Sequence, residues 1–188
     1  MPRIISGSAR GTRLIAPQGQ ATRPTGDKVK EALFSILTPH MPAKGFLDLY
    51  AGTGQIGLEA ASRGSTSVIL VENAAASLKI IRTNVEKTHL ADKVAVIAAE
   101  VKTALTRLQN QSQRFELIFL DPPYCDALRD FNRLAPTIVE LLADDGLVIL
   151  EHDSREQPPV FVTNLKLLRS CQYGAAMLSF YKVALTAD

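Results

Sequence analysis

Four residues in the middle of the chain, Asp121, Pro122, Pro123 and Tyr124, combine an acid, two stiff backbone positions and an aromatic ring. They directly follow the apolar run 115–120, which is typical of a buried strand. An acid at the carboxyl end of a central strand points toward the ligand crevice of an open sheet, and prolines fix the backbone behind it. The four residues therefore predict a rigid site that orients a polar group.

The reaction that suits these residue types takes place on an exocyclic amine of a nucleobase, whose lone pair is delocalised into the ring. Our hypothesis is that the Asp121 carboxylate and the Pro122 carbonyl accept the two amine N–H bonds, so that the lone pair points at an activated methyl group. Tyr124 would stack on a base that has left its own stack. The alternative without chemistry is a proline-rich strand exit with an exposed tyrosine.

A glycine-rich loop follows the apolar run 46–50 and precedes a helical pattern. It has glycines at the GxGxxG spacing, which lets a ligand approach the helix N-terminus but does not separate nicotinamide or flavin cofactors from S-adenosylmethionine. Asp48 favours S-adenosylmethionine, because a carboxylate beside the loop can hold the methionine ammonium. The predicted cofactor-binding residues of this loop are Asp48, Ala51, Gly52 and Gly54.

Two further acids follow later strands. Glu72 ends the second strand, where a carboxylate can accept both hydroxyls of a ribose. Glu100 follows the third strand and would accept a hydrogen bond from the adenine amino group, or else serve as an ordinary acid at a helix N-terminus. Both positions predict an adenosine-containing cofactor.

The elements that hold these residues alternate along the chain. Apolar runs at 46–50, 68–71, 94–98, 115–120 and 147–151 predict strands, and amphipathic stretches at 55–63, 74–88, 101–109 and 127–142 predict helices. This alternation predicts an α/β fold with a mostly parallel sheet covered on both faces. Two successive strands at 162–169 and 175–184 would finish the sheet as an antiparallel pair, which is the order of a class I methyltransferase.

The positive charge lies at the N-terminus. Residues 1–30 hold six of the basic side chains and one acid, while the whole chain has a net charge of only +2. We expect residues 1–24 to form a basic hairpin extension and 25–188 the methyltransferase domain. A basic cluster suits a phosphate backbone or is a solvated tail. The candidate RNA-binding residues are Arg3, Arg10, Arg13, Arg23 and Lys28.

Composition excludes several classes of protein. The chain of 188 residues has neither a membrane-spanning apolar stretch nor a signal-peptide pattern, so we expect a cytoplasmic protein, by default a monomer. The two cysteines lack the spacing of a zinc site, and we expect no metal.

With these motifs in place, the sequence resembles the RsmD type of bacterial small-subunit ribosomal RNA guanine-N2 methyltransferases over nearly its whole length. The resemblance includes the opening residues from Arg3 to Phe34 and the late pair Tyr173-Gly174. It implies S-adenosylmethionine as the methyl donor. It also implies that the acceptor is one guanine N2 in 16S ribosomal RNA, presented by an assembled or assembling small subunit.

Three other functions stay open from the residues. A DNA adenine-N6 methyltransferase could use the same four-residue site, although the chain has no evident target-recognition domain. A nicotinamide-dependent oxidoreductase could use the GxGxxG loop. An RNA-binding assembly factor without catalysis would need only the basic segment.

Overall fold

The structure, a computed structural model, describes residues 2–17, 26–123 and 126–184. The chain folds into two compact units, Met1–Val101 and Lys102–Asp188. The predicted boundary between residues 24 and 25 lies outside the described residues and stays a prediction. Within the described ranges, no helix combines the length and the hydropathy that crossing a membrane requires.

In the first unit, neighbouring strands run parallel. β1 pairs with β2, and β2 pairs with β3. Their bounds are Gly45–Leu49 for β1, Ser67–Glu72 for β2 and Val94–Ala98 for β3. The register places Leu49 beside Val71 and Glu72 beside Ala98, so the carboxyl ends of the three strands lie at one edge. Every residue of β1 is buried, as expected of a parallel strand covered on both faces.

The helices of the first unit are α1 (Asp27–Ile36), α2 (Gln55–Ser62) and α3 (Ala75–Thr88). A short 3-10 turn, Thr38–His40, follows α1 and contains Pro39. All eight residues of α2 are buried, including Glu59 and Ser62. Buried polar side chains need partners, and Glu59 and Ser62 find them in the N-terminal segment, residues 2–17.

The N-terminal segment is folded back on itself as the predicted hairpin. The Ile4 N–H donates to the Thr12 carbonyl at 3.0 Å, and the Gly11 N–H donates to the Ile4 carbonyl at 2.8 Å. Arg3 and Arg13 form an antiparallel bridge. Ile4 and Leu14 are each only 1% exposed, so the hairpin contributes to the core of the first unit.

Polar groups of α2 hold the hairpin in place. The two Glu59 carboxylate oxygens accept the backbone N–H groups of Ile5 at 2.8 Å and of Ser6 at 3.0 Å. The Ser62 carbonyl accepts the Ser8 N–H at 2.8 Å. The N-terminal segment is therefore an integral layer of the first unit.

The second unit combines one parallel pair with antiparallel strands. β4 pairs with β5 in parallel, and β8, β7 and β6 then follow in antiparallel order. The helices are α4 (Val101–Asn110), which begins at the last residue of the first unit, and α5 (Ala127–Leu141). The strands are Phe115–Leu120 for β4, Leu142–Asp153 for β5, Phe161–Val162 for β6, Leu165–Tyr173 for β7 and Ala176–Val183 for β8.

Two predicted strand boundaries in this unit were wrong. β5 begins at Leu142, five residues before the predicted start, because its register against β4 shifts between Phe115 and Leu117 and Asp145 has a φ of 62°. The acidic stretch before Leu147 is thus a bulge inside the strand. The predicted strand 162–169 is interrupted at Thr163, with a φ of 53°, which separates β6 from β7.

Candidate functional site

The glycine loop between β1 and α2 has a left-handed backbone conformation at its first two glycines. Gly52 has a φ of 57° and Gly54 a φ of 77°, and Gly54 is the N-cap of α2. A Cβ added at Gly52 would meet nothing nearer than the Tyr50 carbonyl oxygen at 4.0 Å. The backbone of Gly52 is therefore open to a ligand at the N-terminus of a helix.

The third glycine of the pattern, Gly57, serves packing. A Cβ at this position would lie 2.2 Å from Leu70 Cδ2, on the neighbouring strand β2. The Gly57 N–H donates to Asp48 Oδ2 at 2.9 Å, which fastens the first turn of α2 to β1. Asp48 is 1% exposed. Burial raises its pKa to about 7, against the Gly57 hydrogen bond that favours the charged form, and the Glu72 charge raises it further.

Glu72 closes the loop from the end of β2. Its Oε2 accepts the Gly52 N–H at 2.8 Å, and its Oε1 accepts the N–H groups of Asn73 at 2.9 Å and Ala74 at 2.8 Å. A carboxylate has about four acceptor positions, so three of them hold backbone in this arrangement. Glu72 thus fixes the loop tip and the approach to α3, a role that the sequence analysis did not anticipate.

Ala51 and Glu100 complete this edge of the first unit. The Ala51 N–H donates to the Val71 carbonyl at 2.9 Å, and its own carbonyl accepts the Gly54 N–H at 2.7 Å. Glu100 is exposed, and the preceding Ala99 N–H donates to the Glu72 carbonyl at 3.1 Å. The structure therefore collects all six predicted cofactor-binding residues at one strand edge. Among the residues that the structure describes, no trio of His, Cys, Asp or Glu is arranged for a metal ion.

The four-residue motif belongs to the second unit, directly after β4. Leu120 is in register with Leu150 of β5, and the partly buried Asp121 is the first residue beyond the strand. The Pro123 carbonyl accepts the Asp126 N–H at 3.0 Å and so forms the turn into α5. Pro122 is buried, and its carbonyl has no donor among the described residues. Tyr124, the fourth predicted residue, lies outside the described residues.

Most of the predicted RNA-binding side chains lie on the outside of the first unit. Arg3, Arg10, Arg13 and Lys28 are exposed, and the bridge between Arg3 and Arg13 puts these two side by side. The buried Ile4 and Leu14 lie on the opposite face of the hairpin. Arg23 lies outside the described residues.

Sequence reasoning missed the polar residues that dock this basic hairpin. Lys30 counted toward the basic cluster, yet it is fully buried and paired with Glu59. Burial lowers the pKa of Lys30, and the Glu59 carboxylate opposes that shift. Asn84 on α3 contacts both the N-terminal segment and the glycine loop. The only signal in the sequence was a polar residue within a helical pattern, and such a residue does not reveal which distant residue it contacts.

Comparison with known proteins identifies the family. A family model described as Conserved hypothetical protein 95 matches residues 2–182. The Bacillus subtilis protein YlbH is 35% identical over 182 residues, which cover 96% of this chain and 98% of YlbH. Ribosomal RNA small subunit methyltransferase D of Escherichia coli is 33% identical over 187 residues, covering 96% of this chain and 89% of the relative.

Solved structures agree with this assignment. A hypothetical protein of Thermus thermophilus superimposes with a TM-score of 0.84 at 32% identity, covering 96% of this chain and 99% of that one. A methyltransferase solved in complex with SAH shares the fold at 16% identity and a TM-score of 0.69, over 82% of this chain and 49% of its own. The predicted class I methyltransferase fold is confirmed. The chain belongs to the Conserved hypothetical protein 95 family, that of the RsmD-type ribosomal RNA methyltransferases.

Proposed function

We propose that this protein transfers the methyl group of S-adenosylmethionine to the exocyclic N2 of a guanine in small-subunit ribosomal RNA. The observation that carries the proposal is the backbone after β4. There the Pro123 carbonyl forms the turn into α5, while the Pro122 carbonyl beside Asp121 has no donor among the described residues. The family relatives supply the RNA class, because five of them, that of Escherichia coli included, are named as small-subunit ribosomal RNA methyltransferases.

Asp121 and Pro122 act on the acceptor base. The Asp121 carboxylate and the Pro122 carbonyl accept the two N–H bonds of the amine and turn its lone pair out of conjugation with the ring. Proline suits this position because it offers a carbonyl and no competing N–H. Tyr124 stacks on the base once it has left the RNA stack.

The first unit holds the methyl donor. The open space above Gly52 fits a ligand that approaches the backbone, and the remaining acceptor position of Glu72 beside it fits a ribose hydroxyl. Asp48 favours a cationic ligand, because a nearby ammonium would keep its carboxylate charged despite burial. Glu100 accepts from the adenine amino group. When bound, S-adenosylmethionine supplies an electrophilic methyl group.

The exposed arginines bind the RNA backbone. Arg3, Arg10 and Arg13 present their charge on the outer face of the hairpin, and Lys28 adds one more cation from α1. We expect Arg23 to contact the RNA as well. The substrate is an assembled or assembling small subunit, met in the cytoplasm by a monomeric enzyme.

The test is transfer of radiolabelled methyl from S-adenosylmethionine to three acceptors: unmethylated small ribosomal subunits, protein-free ribosomal RNA and adenine-rich DNA. Nucleoside analysis then identifies the product. We expect N2-methylguanosine from the subunits. N6-methyladenine from DNA would replace the proposal with DNA adenine methylation, and no transfer to any of the three would refute the catalytic assignment.

Asp121→Ala tests the role of the acid. It should abolish turnover and leave the affinity for S-adenosylhomocysteine nearly unchanged, because Asp121 holds the acceptor and not the donor. Asp130→Asn is the matched control, since it also removes one carboxylate of the second unit, one paired with Arg133 on α5. Full activity of Asp121→Ala, or loss of cofactor binding alone, would contradict the role.

A further inference from the structure

The side chain of Asn84 joins two parts of the first unit that are far apart in sequence. Its Oδ1 accepts the Ile15 N–H at 2.7 Å, and its Nδ2 donates to the Ile15 carbonyl at 3.1 Å. The same Nδ2 donates to the Thr53 carbonyl at 2.9 Å. Asn84 itself is fully buried on α3. One amide therefore binds both the basic N-terminal segment and the glycine loop.

The hydrogen bond to Thr53 is one of several that hold the backbone of the glycine loop. Glu72 holds the N–H of Gly52, and Ala51 holds the N–H of Gly54. Between these two glycines, Asn84 holds the carbonyl of Thr53. Both glycines have a left-handed conformation, and holding them in it costs conformational entropy. Each of these hydrogen bonds therefore helps to keep the loop in the conformation that binds a ligand.

The two Ile15 bonds secure the far arm of the hairpin. Glu59 and Ser62 hold residues 5–8 on α2, whereas Ile15 lies after the bridge residue Arg13 and is held by α3. The Asn84 amide satisfies both polar groups of the Ile15 backbone, as a neighbouring strand would. A shift of this arm would break bonds of the amide that also holds Thr53.

We propose that Asn84 is a positioning residue that couples RNA binding on the N-terminal segment to cofactor binding at the glycine loop. This inference rests on the proposed function for the identity of the RNA. Each ligand favours the arrangement in which Asn84 makes all three bonds, so each lowers the ordering cost for the other. The coupling is reciprocal by linkage.

The experiment measures the affinity for radiolabelled S-adenosylhomocysteine by equilibrium dialysis, with and without saturating unmethylated small ribosomal subunits. In the wild-type protein, the subunits should tighten the affinity by about fivefold or more, the lower end of typical coupling. Asn84→Ala should weaken the affinity of the free protein by about tenfold, since the partly buried Thr53 carbonyl loses its donor. The variant should also lose the response to subunits.

Two further variants separate positioning from simple stability. Asn84→Asp keeps an acceptor for the Ile15 N–H but loses the donor to Thr53, and it should behave like Asn84→Ala even if the alanine variant folds poorly. Thr88→Val is the matched control. Thr88 is buried one turn later on α3, and within the described residues its hydroxyl bonds only the helix carbonyls of Asn84 and Val85. It should keep both the wild-type affinity and the response to subunits.

The outcomes divide cleanly. If subunits bind the wild-type protein but leave its cofactor affinity unchanged, the coupling is wrong while the proposed function stands. If Asn84→Asp retains the response, or Thr88→Val loses it equally, Asn84 has no positioning role. Failure of the proposed function has a different signature, namely no methyl transfer to subunits by the wild-type protein.

Discussion

Lys30 and Glu59 form an ion pair, with 3.4 Å between Nζ and Oε2, in which both side chains are fully buried. Lys30 also donates to the Arg3 carbonyl, and Glu59 also bonds Arg63 at 2.9 Å. Around this pair converge α1, α2 and the N-terminal hairpin. Three of the hydrogen bonds that dock the hairpin, those of the Arg3 carbonyl and of the Ile5 and Ser6 N–H groups, therefore depend on two buried charges.

Glu59→Ala should destabilise the protein by about 3–5 kcal/mol, because removing one partner leaves the Lys30 ammonium buried and uncompensated. Urea unfolding at neutral pH measures the change. Glu31→Ala, at an exposed position of α1, is the control and should cost far less. Equal losses of stability for the two substitutions would mean that the buried Glu59 contributes no more to stability than an exposed glutamate.

Gly7→Ala and Gly11→Ala form a matched pair of hairpin variants. Both glycines have left-handed backbones, with φ of 86° and 87°, so alanine strains each by about 1–2 kcal/mol. Only at Gly7 would the new Cβ also collide with the protein, 1.8 Å from the Ser62 carbonyl oxygen. We expect Gly7→Ala to be clearly less stable and to release the hairpin to limited proteolysis. Indistinguishable variants would show that the hairpin does not need its contact with Ser62.

Asp48 should make the protein less stable as the pH rises. Its folded pKa of about 7 lies above the ordinary aspartate value of 3.8, so the folded state binds the proton more tightly. The favourable contribution of this proton is present at low pH and is lost between about pH 4 and 7. Asp48→Asn keeps an acceptor for the Gly57 N–H and removes this titration. The stability of the variant relative to wild type should therefore rise between pH 5 and pH 8 in urea unfolding, and a constant difference would contradict the shifted pKa.

Replacing Arg3, Arg10 and Arg13 together by Gln should flatten the salt dependence of binding to small ribosomal subunits. The logarithmic slope should fall by about one for each phosphate contact that is lost. A variant with Lys79, Arg82 and Lys87 together replaced by Gln, all exposed on α3, controls for net charge. A slope unchanged from wild type would remove the hairpin from the RNA interface.

The periodicity of apolar residues was sufficient to predict most of the strands and helices. The strand at 94–98 matches β3 to the residue, and the helix at 74–88 differs from α3 only at its first residue. The predicted strand boundaries were wrong where the local composition suggested a turn. Asp144, Asp145 and Gly146 have the composition of a turn, yet the β4 pairing continues past them and they form a bulge.

The sequence indicated which strand edge carries the proposed cofactor-binding residues, but not the hydrogen bonds among them. Glycine spacing and strand-end acids point to that edge because both are set by local sequence. The docking of the hairpin depends on Glu59 and Asn84. Glu59 bonds Ile5, which is 54 positions away in sequence, and Asn84 bonds Ile15, which is 69 positions away. Sequence spacing carries no information about such pairs, so Lys30 was counted with the surface charges although Glu59 neutralises it inside the fold.

The complete burial of α2 has a consequence for how this protein tolerates substitution. An ordinary surface helix keeps a solvent face on which most replacements are neutral, but the eight residues of α2 have none. Its polar positions are as constrained as its apolar ones, since Glu59 and Ser62 serve the hairpin. A saturation-mutagenesis scan should therefore show intolerance at every position of α2. The tolerated positions that recur every three or four residues in a surface helix should be absent.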